Sequence, residues 1–463
     1  MLGKLWTYAR NAEHNVKLAY VFTIIYFSCR SIILEQVLSG YVFVLTQSNE
    51  PVGIVNGVLG LVQMIAAIPG GWAVDHSRRD TILKISSFLG VLSAILSIAA
   101  FSMGNMMAVY VAFGFWGLFS ALQSPALESL FADSIPNGER SFPITIKHML
   151  QNTAYIVGPA ICVLFFIIYG DSWNLAGLQT VLIIGTVIGL PSFILLFFFN
   201  DDLAYENYTS SKKARTLSFI HEDGLLEYSA VDDAEPDQPA TESTELLTDE
   251  ESTDDATLNT FLCLGPRHVP YLLFASDFII CNGAGMTIGF FPVFFQNEYS
   301  LTPSQVNFLF VAQPLLVVIL AYLTQRASTV YGTIETVVAT RIFSTVCLGA
   351  MTYITPLYLE IIMFLLRAGF MRCSEPLRTS LMMDYVPQNL RGRWNSLEGL
   401  TQFSYSGSAV VGGYLIERHG YRYCFLITAV IYFIGLMFEV VLIPVIQGHR
   451  ALGKPKKAVV QLH

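Results

Sequence analysis

The sequence predicts an all-α membrane protein of about twelve transmembrane helices, arranged as two six-helix halves with pseudo-symmetry between them. Composition, the recurrence of long apolar runs and an internal repeat each point that way. Hydrophobic residues make up 53% of the 463 and charged residues only 13%, whereas a soluble globular chain carries about 25% charged residues. Mean hydropathy is +0.54. Apolar stretches recur from one end of the chain to the other, each long enough to cross a hydrocarbon core of about 30 Å as a helix.

Taken in order, these stretches place helices at about 18–45, 53–74, 81–103, 107–132, 142–169 and 174–199. A second set follows at about 269–296, 303–325, 333–354, 357–383, 395–416 and 421–446. The chain therefore divides into an N-terminal six-helix half (1–199), a polar connecting loop (200–267), and a C-terminal six-helix half with its tail (268–463). The first seventeen residues are polar, with Lys4, Arg10 and Lys17 and no small-residue cleavage site, so a cleaved secretory signal is not expected. The seven cysteines are scattered without metal-like spacing and read as small apolar packing residues. No metal or other cofactor is expected.

The connecting loop holds the chain's acidity. Between Asn200 and Thr260 stand 17 Asp and Glu against three basic residues, Lys212, Lys213 and Arg215, while the whole chain carries a net charge of −9. Poor in aromatics and rich in Glu, Asp, Ser and Thr, this loop lacks the apolar surface to fold alone. The pattern Glu242-Ser243-Thr244-Glu245-Leu246-Leu247 looks like an acidic dileucine sorting signal, which would make sorting adaptors partners of Glu242, Leu246 and Leu247. Tyr228-Ser229-Ala230-Val231 looks like a tyrosine-based one. The plainer reading of both is a solvated linker.

Basic residues set the expected orientation. With the N-terminus in the cytosol, inner loops collect Arg78, Arg79, Lys84, Arg140, Lys147, Arg326, Arg391 and Arg393, and the tail adds Arg450, Lys454, Lys456 and Lys457. Outer loops hold only Arg418 and Arg422. Both termini and the acidic loop are therefore expected in the cytosol, at a plasma or an endolysosomal or vacuolar membrane.

The halves repeat. Pro125-Ala-Leu-Glu-Ser-Leu-Phe-Ala-Asp-Ser-Ile-Pro136 aligns with Pro376-Leu-Arg-Thr-Ser-Leu-Met-Met-Asp-Tyr-Val-Pro387. One fixed interval pairs Ser129 with Ser380, Asp133 with Asp384, Arg140 with Arg391 and Gln151 with Gln402. Chance would rarely hold Pro, Asp, Pro and Arg at one spacing at the ends of equivalent helices.

Between the second and third apolar runs lies Gly70-Gly-Trp-Ala-Val-Asp75-His-Ser-Arg78-Arg79-Asp80. This stretch resembles the loop signature of the major facilitator superfamily of secondary transporters, Gly-x-x-x-Asp-Arg-x-Gly-Arg-Arg/Lys. Gly71, Asp75 and Arg79 match it, while His76, Arg78 and Asp80 depart from it. The resemblance implies the major facilitator fold, a parallel duplication of six helices with substrate held between the halves. It further implies that Asp75 faces the start of the eleventh helix near Trp394–Leu397, where helix-end amides favour an acid. Arg79 would then pair with Asp133. Together Gly71, Asp75, Arg79, Asp133, Arg140, Asp384 and Arg391 would form a cytosolic gate. At the position that would repeat Asp75 stands Arg326, so a single lock is expected.

Ionisable residues inside membrane helices are costly and by default face a cavity or a partner. Arg30 and Glu35 lie in the first helix, Asp277 in the seventh, and Arg367 and Arg372 in the tenth; in the family those helices line the cavity. Arg30 and Asp277 read either as an internal ion pair or as a pair for which substrate or proton competes. Arginine stays charged, so Arg367 and Arg372 read as anion anchors; Arg372, Glu375 and Arg378 also fit a self-neutralising ladder, which leaves Arg367, with no such acid at hand, as the better substrate candidate. Arg341 reads as structural, on a helix that is peripheral in the family. Proton carriage needs an acid whose arginine can leave, which Asp277 and Glu35 satisfy. Glu128 and His148 read as rim residues. Gly158-Pro159, Gly412 and Gly413 read as close-packing and bending points.

The function expected is secondary active transport of a small organic solute, with an anion favoured, by alternating access and with proton coupling. Two alternatives stand beside it: proton-coupled, multidrug-type efflux of amphipathic molecules, and a non-transporting receptor or scaffold acting through the acidic loop. No phosphate-binding loop, nucleophile–base set or nucleic-acid-binding feature argues for an ATPase, an enzyme or a nucleic-acid partner.

Overall fold

The computed structural model describes residues 14–135, 141–204, 268–385 and 391–452. Twelve rods cross it. In the first half they are α1 (His14–Ile33 continuing as Gln36–Thr46), α2 (Glu50–His76), α3 (Arg79–Met103), α4 (Met106–Asp133), α5 (Ser141–Tyr169) and α6 (Leu175–Leu195). In the second they are α7 (Val269–Thr287 and Phe291–Tyr299, joined by the 3-10 turn Ile288–Phe290), α8 (Pro303–Tyr331), α9 (Thr333–Ala350), α10 (Leu357–Arg372 and Glu375–Tyr385), α11 (Arg391–His419) and α12 (Tyr421–Leu452). Among the described residues, ten are long and apolar enough to span a membrane.

Connections at the end away from the termini are a few residues long and tightly capped. The Asn105 side chain accepts from the Met107 amide, Asn174 accepts from Gly177, and Thr302 with Gln305 forms a capping box at the start of α8. Each satisfies amides that a helix start leaves without partners. The opposite face of the bundle, called here the terminal end, carries His14, the 77–79 turn, Ser134, Asn200, His268 and Tyr385.

Three rods are broken mid-course, which the apolar pattern alone does not foretell. In α7 and α10 the second segment opens on an X–Pro step, Phe291-Pro292 and Glu375-Pro376. Proline lacks an amide to continue the ladder and suits the first turn of a new segment. The α1 break has no proline; there Glu35 sits at φ −110°, ψ −122°. Breaks in α1 and α7 fall at corresponding places in the two halves, and paired discontinuous helices mark binding sites in transporters.

Across the halves α2 packs on α11 and α5 on α8. Away from the terminal end the α2–α11 seam is tight. A β-carbon on Gly53 or Gly57 would run into Ala409 or Val410, and one on Gly413 would lie 2.7 Å from the Asn49 carbonyl. Near the terminal end, a β-carbon on Gly71 would meet nothing within 4 Å. The sequence placed Gly71 with a gate, and its own contacts require no glycine. By contrast, β-carbons on Gly158 and Gly412 would collide with α1 at Ser31 and α7 at Met286, so these two glycines do set helix spacing. Pro159 lies inside α5.

Candidate functional site

A central cavity lies at the breaks of α1 and α7. Arg30, Glu35 and Asn56 line it from the first half, and Gly289, Phe310 and Tyr405 from the second. Its volume is about 80 Å³, space for a few waters and well below the roughly 300–1,000 Å³ of a small-molecule site. The Nε atom of Arg30 is buried there without a partner, and Nη1 donates to the Tyr26 hydroxyl at 3.4 Å. Gln36, 6% exposed, holds an unpartnered Oε1 nearby. Arg372 reaches in electrostatically from the other half, acting on Glu35 together with Arg30. Arg367 stands back from the lining, buried, with its guanidinium 4.8 Å from the Phe291 ring centre, and acts on Tyr405 and Tyr432.

Arg30 and Asp277 do not pair. Asp277 is held by Arg378 and by Arg341, both within the C-terminal half. Helical geometry explains the difference. Asp277 precedes the cavity-lining Gly285 by eight residues, which turns it roughly 80° around α7, toward α9, α10 and α12. There Arg341, 1% exposed, lies at the centre of a buried cluster. It reaches Glu439 at 2.5 Å, Glu375 at 3.0 Å and Asp277 at 3.5 Å, while Arg378 lies 3.8 Å from Glu375. Of the expected ladder, Arg378 lies beside Glu375 and Arg372 acts on Glu375 electrostatically, while Arg341, read as structural, sits at the centre of the cluster. Glu439 escaped the sequence reading, although an acid inside the run Ile434–Val445 was visible as a costly intramembrane charge.

The described hydrogen bonds that join the halves all lie at the end away from the termini. Glu417, at the end of α11, accepts from the Asn49 amide at 2.7 Å and from its side chain at 3.3 Å. Tyr421 donates to Asn49 at 2.8 Å and accepts from Asn297 at 2.9 Å. Asp171, just after α5, accepts from the Ser304 amide at 2.9 Å and its hydroxyl at 2.5 Å. Trp173 donates to the Leu301 carbonyl at 2.7 Å. Each half thus sets one carboxylate on a helix start of the other, Glu417 on α2 and Asp171 on α8, where the helix dipole favours negative charge. Partial burial favours the neutral form of Asp171, but the hydrogen bonds from Ser304 and Thr302 prevail and hold its pKa below the usual carboxylate value. Sequence reading missed this double lock because Asp171 and Glu417 look like ordinary loop acids.

At the terminal end Arg79 pairs with Asp133 and stands 3.8 Å from Asp201. All three belong to the first half, so this pairing alone does not tie the halves together. The side chains of Asp75, Asp384, Arg391 and Trp394–Leu397, and all of Arg140, lie outside the described residues, as do Glu242, Leu246 and Leu247 of the acidic loop. Glu128, largely exposed, pairs with the buried Lys147, and His148 is exposed.

The Major Facilitator Superfamily model matches residues 18–248 and 273–461. The chain belongs to this superfamily. It is therefore a multi-pass transporter of solutes and not an enzyme. Among solved structures, it resembles a bacterial homologue of the iron transporter ferroportin in an inward-facing state (TM-score 0.64, 13% identity, covering 92% of this chain and 98% of that one). It also resembles the nucleoside transporter NupG (0.64, 12%, 93% and 99%) and a bacterial homologue of the human lysosomal transporter Spinster, inward-facing and unoccupied (0.62, 13%, 94% and 98%). At such identities the likeness is one of fold. A search of curated protein sequences finds no match.

Proposed function

We propose that the protein carries a small organic anion by alternating access, with the solute held between Arg30 of α1 and Arg372 of α10. The observation that carries this reading is the buried, unpartnered Nε of Arg30 at the broken midpoint of α1, beside a cavity shared by both halves. A guanidinium donor left dry costs free energy that an anionic ligand recovers. Glu35, between the two arginines in electrostatic terms, restricts the site to solutes that tolerate or pair with one acid. Arg367 supports the site from behind Tyr405.

In this reading the described state is closed by the Asn49–Glu417–Tyr421 and Asp171–Ser304 contacts, and solute enters from the terminal end. Asp75 and Arg79 act in the opposite state, Asp75 at the start of α11 and Arg79 holding the loop through Asp133. We place the terminal end in the cytosol, following the distribution of basic residues.

The test is uptake and exchange of a panel of organic anions by purified protein in liposomes, with wild type beside Arg30→Gln and Arg372→Gln. Exchange of one anion class, reduced at least tenfold in both variants while folding is unaffected, is the expected result. Equal exchange in all three proteins, or flux only of neutral amphipathic solutes, overturns the anion reading.

A further inference from the structure

We propose that the transported anion carries an amino group, and that it is an amino acid with a second acid group. Its ammonium is held by Glu35 and Gln36 and its acid groups by Arg30 and Arg372, an assignment that rests on the transport reading above and names its solute class.

The cavity at the α1 break holds unused groups of both kinds. Its donor is Arg30, whose Nε is buried without a partner. Its acceptors are Glu35 and Gln36, at the break itself. Glu35 opens the second α1 segment but makes no side-chain bond to that helix start. Gln36, 6% exposed, keeps its Oε1 buried and unpartnered. Among the described residues neither Arg30 nor Glu35 has an ion-pair partner within 4 Å, although each acts on the other electrostatically. Five residues of helix set their backbones about 7.5 Å apart, and two side chains of this length could close on each other if mutual neutralisation were their only role. A solute with opposite charges bridges the interval instead.

Other solutes fit less well. A plain anion on Arg30 sets its charge beside Glu35 in a space of about 80 Å³, where like charges repel. A plain cation on Glu35 meets Arg30 in the same way and leaves the Arg30 Nε dry. A neutral solute leaves both charges without a counter-charge. An ammonium offers three donors and no acceptor. That suits a carboxyl and an amide oxygen on neighbouring residues, and its charge favours the ionised form of Glu35.

The number of acid groups follows from the charge around the cavity. Arg30, Arg341, Arg367, Arg372 and Arg378 stand there against Glu35, Asp277, Glu375 and Glu439. At their ordinary charges these five and four leave one positive charge in excess. A solute with one ammonium and two acid groups carries one negative charge and balances it. Tyr155 of α5 feels Arg30, Glu35 and Arg372 together, which assigns the second acid group to the α5 side.

Exchange by the purified full-length protein in liposomes tests this with labelled aspartate and glutamate. Competitors are the unlabelled compounds, their N-acetyl and N-trimethyl derivatives, and succinate and glutarate, which lack the amine. The parent compounds should compete more than about tenfold better than every analogue without N–H donors on a cation, since a site built to hydrogen-bond a group rejects analogues lacking it. Glu35→Gln should cut that preference to below about threefold and favour succinate, and Gln36→Met should lower it part-way. Succinate or glutarate exchanging as well as the amino compounds in the wild type overturns the amino assignment and leaves the anion reading standing. Exchange of none of these compounds also overturns it, and the wider anion panel above then decides whether the anion reading falls with it. Full preference in a folded Glu35→Gln removes Glu35 from the site and overturns the placement. If Glu35→Gln fails to fold, the wild-type comparison decides by itself.

Discussion

The two halves share a backbone plan and differ in what fills it. The interval that aligns Pro125 with Pro376 carries Arg341 of α9 onto Gly90 of α3. In the first half that place is aromatic and dry. A β-carbon on Gly90 would lie 2.5 Å from the Phe193 ring and 3.0 Å from Phe119, whose centroids are 5.1 Å apart, and Trp116 closes the group by donating to Ser97. In the second half the same place holds an arginine gripped by three acids. The duplication therefore specifies helix order and packing, while the charge at this place is present in one copy only.

Removing each centre in turn should separate these two characters. Arg341→Met strips the guanidinium from three carboxylates and should cost about 3–5 kcal/mol, the loss seen when one partner of a buried pair is deleted. Thermal unfolding of the purified protein in detergent measures it. Recovery of stability at acidic pH, where the stranded acids protonate, would show that charge and not shape was lost. A stability equal to wild type would dissolve the contrast between the halves.

Gly90→Ala probes the other side with a smaller effect. Alanine favours a helix by up to about 1 kcal/mol, yet overpacking a filled core costs about 1–3 kcal/mol. The expected net is a loss of up to about 2 kcal/mol, without pH dependence. A gain in stability would mean that the aromatic group is loosely packed.

The seam between the halves responds more weakly still. Asp171→Asn and Glu417→Gln keep the shape of the lock and remove its charge, worth roughly 1 kcal/mol per helix start. Spin labels at the exposed Gln47 and Arg418 should then report about a fivefold larger separated population for each variant. Because the Asp171 pKa is depressed, its contribution is present above the ordinary value of 3.8 and is lost only as pH falls through a lower one. The Asp171 part of the lock should therefore hold from neutral pH to the mild acidity of an endosome. Opening already at that acidity in Glu417→Gln would contradict the assignment.

How much of this was legible in sequence depended on range. Apolar length located the rods, and the Pro–Asp–Pro–Arg repeat related the halves, because both signals are local or periodic. Arg30, Glu35 and the Arg79–Asp133 pairing were also readable, the last through family resemblance. Partner choice within the bundle was not. Asp277 turns to α9 instead of α1 because of its angle around α7, and neither the α1 break nor the approach of Glu439 to Arg341 leaves a mark in local composition. Asp171 and Glu417 acquire their meaning only when two helix starts from the other half arrive beside them.

The smallest effect is expected where the sequence is most conspicuous. Residues 205–260 carry 15 of the chain's 35 Asp and Glu, yet the cavity, the cluster and the lock are assembled from residues outside them. Deletion of this loop should leave anion exchange by the purified protein within about twofold of wild type, since none of the residues assigned to the site lies within it. Its removal, or Leu246→Ala with Leu247→Ala, should instead redistribute the protein among cellular membranes, as followed by microscopy of a tagged chain. Exchange abolished by the deletion would make the loop a working part of the halves' motion. Unchanged exchange and unchanged location would reduce it to a solvated linker, and the difference between the two halves would then be the whole of the mechanism.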